Sequence, residues 1–250
     1  MTMVASQSWE PFSTRLWRFL HRRPRITAIE RDGLSILSDG RDEMAVTSLD
    51  RSYRYSHGIR RRIAKLLRRY EVGSVPLRSG DHVINVGANI GEMSLGLARK
   101  GCNVIAVEPD PTTLRCLTEN VRGAAEVLPM GLWDIDGELT FFQKPESADT
   151  SAINEVGDAV SLPVSRLDTI MANRPERIRL LIGDAEGGEP EVLRGAFDTL
   201  PRIDFIRLDC GRERHGESTF EECRRIVEQA GFEVSAPTKK MLLVARNLRA

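Results

Sequence analysis

The stretch Val83-Ile84-Asn85-Val86-Gly87-Ala88-Asn89-Ile90-Gly91-Glu92 runs from a buried-type strand, through a turn with two glycines, into a helix carrying Met93 and Leu97. A second strand, Asn103 to Val107, follows, and then a helix whose Leu114, Leu117 and Val121 recur one and two turns apart. Strand, turn, helix and strand in this order predict parallel pairing with a right-handed crossover, because parallel strands need a helix-length connection. Further strands are expected at Ile178 to Ile182 and Asp204 to Leu208, each leading into a helical pattern. Phe232 to Ser235 and Met241 to Ala245, on either side of a turn at Pro237, lie too close for a crossover and should pair antiparallel. The expected architecture is α/β: a doubly wound, Rossmann-like, mostly parallel sheet covered on both faces, with an antiparallel C-terminal hairpin. Val127 to Trp133 and Leu139 to Phe142 flank Asp136-Gly137 and read as a further hairpin.

Upstream of Ser79-Gly80-Asp81 the pattern is less regular. Trp9, Phe12, Leu16, Phe19 and Leu20 recur at helical spacing. Arg25 to Leu49 reads as short strands around a turn at Asp32-Gly33. A helix follows with Ile59, Ile63, Leu66, Leu67 and Tyr70 on one face and Arg60, Arg61, Arg62, Lys65, Arg68 and Arg69 over much of the rest. These strands are few and short, with too little apolar surface for a core of their own. Residues 1–78 are therefore expected to be an appendage covering an acceptor site, and residues 79–250 the ligand-binding domain.

Composition narrows the function. Lysine plus arginine equals aspartate plus glutamate at 36 each, so the formal net charge is zero, which argues against a nucleic-acid partner. No apolar run reaches bilayer-spanning length, and Glu10, Arg15 and Arg18 interrupt the N-terminal apolar residues where a secretory signal would need a continuous stretch. Cys102, Cys116, Cys210 and Cys223 are scattered, which offers no readable zinc site and fits a reducing cytoplasm. The basic helix reads as a solvated face, with docking onto anionic glycans or lipid headgroups, at most a peripheral membrane contact, as the sharper alternative.

The glycine turn narrows the ligand. Ligands of open α/β sheets bind beyond the carboxyl ends of the strands, and Glu108 ends the second strand where such folds place an acid on ribose hydroxyls. A dinucleotide fingerprint would need glycines where Asn89 and Glu92 stand, and Glu92 would set negative charge where a pyrophosphate must sit. The Walker lysine is also missing. S-adenosylmethionine, which carries a sulfonium and an ammonium and no phosphate, fits better. The plain alternative is a glycine turn that only links strand to helix.

From residue 52 to 246 the sequence resembles the FkbM-type methyltransferases, a group of class I enzymes. The resemblance rests on Gly87-Ala88-Asn89-Ile90-Gly91-Glu92, Val107-Glu108-Pro109, Val127-Leu128-Pro129-Met130-Gly131-Leu132 and Arg166-Leu167-Asp168. It is most specific at Asp184-Ala185-Glu186-Gly187-Gly188-Glu189 followed by Glu191-Val192-Leu193-Arg194-Gly195-Ala196. It implies methyl transfer to oxygen, with sugars and polyketide hydroxyls as acceptor classes. It also implies a cofactor site formed by Asn85, Gly87, Ala88, Asn89, Gly91, Glu92, Glu108, Pro109, Gly131 and Leu132. Two positions depart from the family: Asn85 replaces an aspartate and Ile182 a frequent lysine.

A hydroxyl acceptor must lose a proton, so a base is expected within hydrogen-bond reach. Asp184, just past the fourth main strand, is the first candidate; the alternative is that it caps the next helix or orients the cofactor. His215, in the loop after Asp209, is the second candidate, against the alternative of a solvated loop histidine. Glu186 and Glu189 are explained equally by helix-end electrostatics. His57, Thr150, Ser151 and Glu186 are expected near the acceptor, with Asp149 to Ala152 in a polar loop. Nothing in the spacing demands a metal, although Asp184, Glu186 and Asp209 offer oxygen ligands. These readings predict an S-adenosylmethionine-dependent O-methyltransferase acting in the cytoplasm on a sugar, glycan or secondary-metabolite hydroxyl. The alternatives are methylation of an amine, protein or nucleic acid, or a non-catalytic binding module on the same fold.

Overall fold

A computed structural model describes residues 23–144, 149–153, 157–236 and 241–249. The helical pattern of Trp9 to Leu20, His21 and the turn at Pro237 lie outside the described residues. An antiparallel sheet of β1 (Thr27–Arg31), β2 (Leu34–Ser38) and β3 (Glu43–Val46) comes first. Asp32 and Gly33 join its first two strands with φ of 51° and 70°, the paired positive values of a tight hairpin turn. A 3-10 helix (Leu49–Tyr55) and α1 (Ile59–Arg69) follow.

The main sheet then begins with β4 (His82–Val86), α2 (Glu92–Ala98), β5 (Asn103–Val107), α3 (Pro111–Val121) and β6 (Ala125–Leu128). Next come β7 (Gly131–Leu132), β8 (Gly137–Lys144), β9 (Asp149–Ser151), β10 (Asp158–Ser165) and α4 (Leu167–Met171). The chain returns to the main sheet with β11 (Ile178–Asp184), α5 (Glu189–Arg194), β12 (Ile203–Asp209), α6 (Phe220–Gln229), β13 (Phe232–Val234) and β14 (Leu242–Asn247).

The main sheet has the order β13-β14-β12-β11-β4-β5-β6, parallel except where β14 pairs antiparallel with β12 and β13. This is the Rossmann-like class I methyltransferase arrangement. Alternate residues face opposite ways. Ile84, Val86, Ile105, Leu181 and Ile206 join the larger core with α5 and α6, while Val83, Val104, Leu180 and Ile182 pack with Met93, Leu97 and Tyr70. The N-terminal elements share a third core with this domain, in which Ile36, Met44, Tyr55, Ile59 and Ile63 pack with Ile90 and Cys116. Asn120 of α3 adds a polar seam: its amide donates to the Ala45 and Ile90 carbonyls at 2.9 and 2.6 Å, and its oxygen accepts the Ala45 N–H at 2.7 Å.

Two expectations are corrected. β7 and β8, which begins at Gly137, do not pair; β10 lies between them, parallel to β7 and antiparallel to β8. β7 is two residues long, whereas β10 matches seven residues of β8, so the longer ladder wins over the shorter connection. The polar stretch at Asp149 to Ser151 is not loop but β9, paired with β8.

Candidate active site

From β4 the chain winds outward through β5 to β6, then returns to the opposite side of β4 as β11. The crevice for ligand opens at such a reversal, beyond the carboxyl ends of the two strands. Backbone crowding shapes it. Gly87, at φ 58°, lies so close to the Asp184 carbonyl that a Cβ there would collide with it, and a Cβ on Gly183 would collide with the Val86 carbonyl. Only glycine allows this approach.

A cavity of about 350 Å³ opens above this junction. One part of its wall is Gly87, Ala88, Asn89, Glu108 and Pro109, flanked by Gly131, Leu132, Trp133, Phe141 and Thr150. Asp184, Ala185, Glu186 and Glu213 form an acidic side. Arg51, Arg54, Arg62, Leu66, Arg69 and Tyr70 come from the N-terminal segment.

The Glu108 carboxylate accepts the Asn89 N–H at 2.8 Å and the Asp110 N–H at 3.0 Å. Burial pushes its pKa up to about 7, against these two hydrogen bonds. A carboxylate offers about four acceptor positions, so room remains for hydroxyl donors from a ligand. Asn89 holds φ at 50°, its side-chain oxygen accepting the Ile90 N–H at 2.8 Å. Glu92 faces the cavity already gripped by Arg62, whose Nε and Nη2 donate at 2.8 and 2.9 Å.

Asp184 ends β11 directly opposite Asp209 of β12. Its Oδ1 accepts the Glu186 N–H at 3.0 Å. Burial, and then the charges of Glu186, Asp209 and Glu189, hold its carboxyl well above the usual carboxylate range. Asp209 is buried and ion-paired to Arg69 of α1. Glu189 is structural: its carboxylate accepts the Ala185 and Gly187 N–H groups at 2.9 and 3.1 Å and the Thr219 hydroxyl at 2.7 Å, which holds the turn after Asp184.

Several expected site residues lie elsewhere. Asn85 is buried beneath the turn, its amide donating to Ser94 Oγ at 2.8 Å and its Oδ1 without a partner among the described residues. Gly91 is where α2 approaches α3, since a Cβ there would press on Leu117. The Ser151 hydroxyl donates to the Glu186 carbonyl at 2.9 Å instead of lining the wall. His57 is exposed beside a separate crevice with Asp42 and Arg60, and His215 is exposed in its loop at φ 52°; neither borders the cavity. Among the described residues no group of three or more His, Cys, Asp or Glu side chains is arranged to hold a metal ion.

The residues that sequence reasoning missed are the arginines of the N-terminal segment, with Trp133, Phe141 and Glu213. Arg62, Leu66 and Arg69 are spaced by four and three residues, so they share a helix face, and Tyr70 follows at the helix end. That spacing is the sequence signal that sets Arg62 and Arg69 apart from the other basic residues of the helix.

Residues 85–234 match the family model described as the methyltransferase FkbM domain. The chain belongs to this family. Its fold also resembles solved structures at low identity. One is magnesium protoporphyrin IX methyltransferase from Synechocystis PCC 6803, solved with its methyl donor bound (11% identity, TM-score 0.44, 76% of this chain and 77% of that one). Others are the fibrillarin pre-rRNA processing protein of Methanococcus jannaschii (12%, 0.46, 89% and 97%) and an S-adenosylmethionine-dependent methyltransferase from Aquifex aeolicus (14%, 0.45, 80% and 93%). No curated protein sequence matches the chain.

As an FkbM-domain protein the chain is an S-adenosylmethionine-dependent methyltransferase. The cavity residues fit that cofactor. Gly87 leaves bare backbone at the turn, Glu108 offers acceptors for ribose hydroxyls, and Asp184, Glu186 and Glu213 give carboxylates for a ligand with a cationic sulfonium and ammonium. No helix of the described residues is long and apolar enough to cross a membrane.

Proposed function

We propose that this FkbM methyltransferase acts in the cytoplasm on a hydroxyl oxygen of a sugar, glycan or related secondary metabolite. The observation that carries the reading is Asp184, a cavity-wall carboxyl of raised proton affinity at the carboxyl end of β11. Bound S-adenosylmethionine supplies an electrophilic methyl group. A neutral hydroxyl is a poor nucleophile, so a base beside it contributes about 10²–10⁴-fold. Asp184 Oδ1 is occupied by the Glu186 N–H, and Oδ2 takes the acceptor's proton. Its raised proton affinity favours uptake of that proton.

Glu108, Gly87 and the flanking Gly131 and Leu132 bind and orient the cofactor. Residues between Arg51 and Tyr70 cover the acceptor side: Arg62 holds Glu92, and Arg69 holds Asp209, which keeps that aspartate's charge from competing for the proton. Positioning the two reactants beside each other supplies the rest of the rate. The balanced net charge favours a small acceptor over a nucleic acid. The test is transfer of labelled methyl to a panel of purified sugars, glycans and polyketides, with mass spectrometry of the product. Methyl found only on nitrogen, protein or RNA overturns the reading.

A further inference from the structure

The zero net charge conceals a separation. Residues 1–78 carry sixteen lysines and arginines against eight aspartates and glutamates, and residues 79–250 carry twenty against twenty-eight. The two parts therefore have equal and opposite formal charges of eight. Charge concentrated on one part of a molecule draws in a partner of the opposite sign.

Helix α1 gathers much of the positive excess, with six cations and no acid. Arg60, Arg62 and Arg69 are paired with Asp42, Glu92 and Asp209. Arg61, Lys65 and Arg68 are exposed and pair with no carboxylate among the described residues. Their spacing of four and three residues sets them in one stripe, where like charges repel and no acid of the helix relieves them. The stripe lies about 100° round the helix from Arg62, Leu66 and Arg69 on the cavity wall.

Apolar groups stand near the stripe. Leu49 and Tyr53 of the 3-10 helix are 45% and 67% exposed and border a groove with Arg23 and Pro24. Arg23 also borders the crevice of Arg60 and Arg61 at the start of α1. The sequence just before Arg23 continues the mixture, with Trp9, Phe12, Trp17 and Phe19 among Arg15, Arg18 and Arg22. Cations interleaved with aromatic and apolar side chains match a membrane interface, where headgroups meet the charge and the rings enter the acyl boundary. A nucleic acid would match the cations and leave Leu49 without an apolar partner.

We propose that the protein docks on an anionic lipid surface through Arg61, Lys65 and Arg68 of α1, with Leu49 and Tyr53 entering the interface. Docking by α1 sets the cavity beside the headgroups, because the same helix supplies Arg62, Leu66 and Arg69 to the cavity wall. The proposal holds whichever atom receives the methyl group.

The test is co-sedimentation of the full chain with lipid vesicles. Vesicles of equimolar phosphatidylcholine and phosphatidylglycerol should bind it, phosphatidylcholine alone should not, and added salt should release it. Each cation near an anionic surface strengthens binding about fivefold, so R61Q/K65Q/R68Q should weaken it about a hundredfold. R61K/R68K keeps the charge and should bind like the intact chain, whereas L49S/Y53S should bind more weakly. None of these five residues borders the cavity, so unchanged S-adenosylhomocysteine affinity separates lost docking from lost fold. No binding to the charged vesicles, equal binding to the neutral ones, or binding unchanged in R61Q/K65Q/R68Q overturns the proposal. So does release from the vesicles by an equal charge of duplex RNA, which would assign the stripe to a nucleic acid. Binding unchanged in L49S/Y53S overturns the apolar half.

Discussion

The Oδ2 atom of Asp110 accepts the hydroxyl of Thr150 at 2.6 Å, tying the β8–β9 pair to the start of helix α3. The same oxygen accepts the Gln143 amide at 2.9 Å. Oδ1 meanwhile caps α3 by accepting the Thr112 and Thr113 N–H groups at 2.7 and 3.2 Å. One carboxylate thus joins the Glu108 side of the cavity to the side formed by Phe141 and Thr150.

Asp110→Asn separates these duties. Asparagine caps a helix about as well as aspartate, so α3 keeps its N-terminus, but an amide NH₂ in place of Oδ2 cannot accept from Thr150 or Gln143. Hydrogen bonds to a charged group are worth roughly 1.5–3 kcal/mol. S-adenosylmethionine affinity should fall about tenfold, and amide hydrogen exchange should rise across β8 and β9 while α3 stays protected. Unchanged exchange in those strands would show that the clamp is idle.

Glu108 should give two pH dependences of opposite sign. Its folded carboxyl is raised from 4.5 to about 7, so between those values the unfolded chain loses its proton while the folded one keeps it. Its contribution to stability is full below pH 4.5 and is lost as pH rises to about 7. Cofactor affinity should move the other way, strengthening towards pH 7 as the carboxylate that accepts ribose hydroxyls forms. Glu108→Gln should flatten both profiles in thermal unfolding and calorimetry, and Glu108→Ala should weaken binding by about tenfold or more.

For Asp184→Asn, turnover should drop about a hundredfold or more with cofactor affinity nearly intact. The amide oxygen still accepts the Glu186 N–H, and removing a charge beside Glu186, Asp209 and Glu189 leaves the fold at least as stable. His215→Ala is the paired control, expected to turn over near the normal rate because His215 does not border the cavity. A larger loss in His215→Ala than in Asp184→Asn would reverse the assignment.

A chain starting at Gly80 would expose Ile90, Leu95 and Cys116 and strip Glu92 and Asp209 of their arginine partners. It should melt at lower temperature, retain weakened cofactor binding and lose turnover. Full-rate methylation by this fragment would refute the role of residues 1–78 as the acceptor-site cover.

What the sequence by itself determined is the alternation of strand and helix from Val83 onward, the glycine turn at Gly87, and Glu108 at the end of β5. Those features are local: apolar period, glycine conformation and the distance along one βαβ unit all lie within about thirty residues. Only the tertiary structure decided that β10 separates β7 from β8, that Asn85 and Gly91 lie beneath the cavity instead of on its wall, and that His57 and His215 lie away from it. It also brought Arg62 and Arg69 of the basic helix to the cavity, where Arg69 meets Asp209 across 140 residues of chain, while Arg60, Arg61, Lys65 and Arg68 keep the exposed face that the sequence reads. The physical reason is range. A side chain's own segment sets its secondary structure, whereas its charge partner and solvent exposure depend on segments whose approach leaves no periodic trace in the sequence.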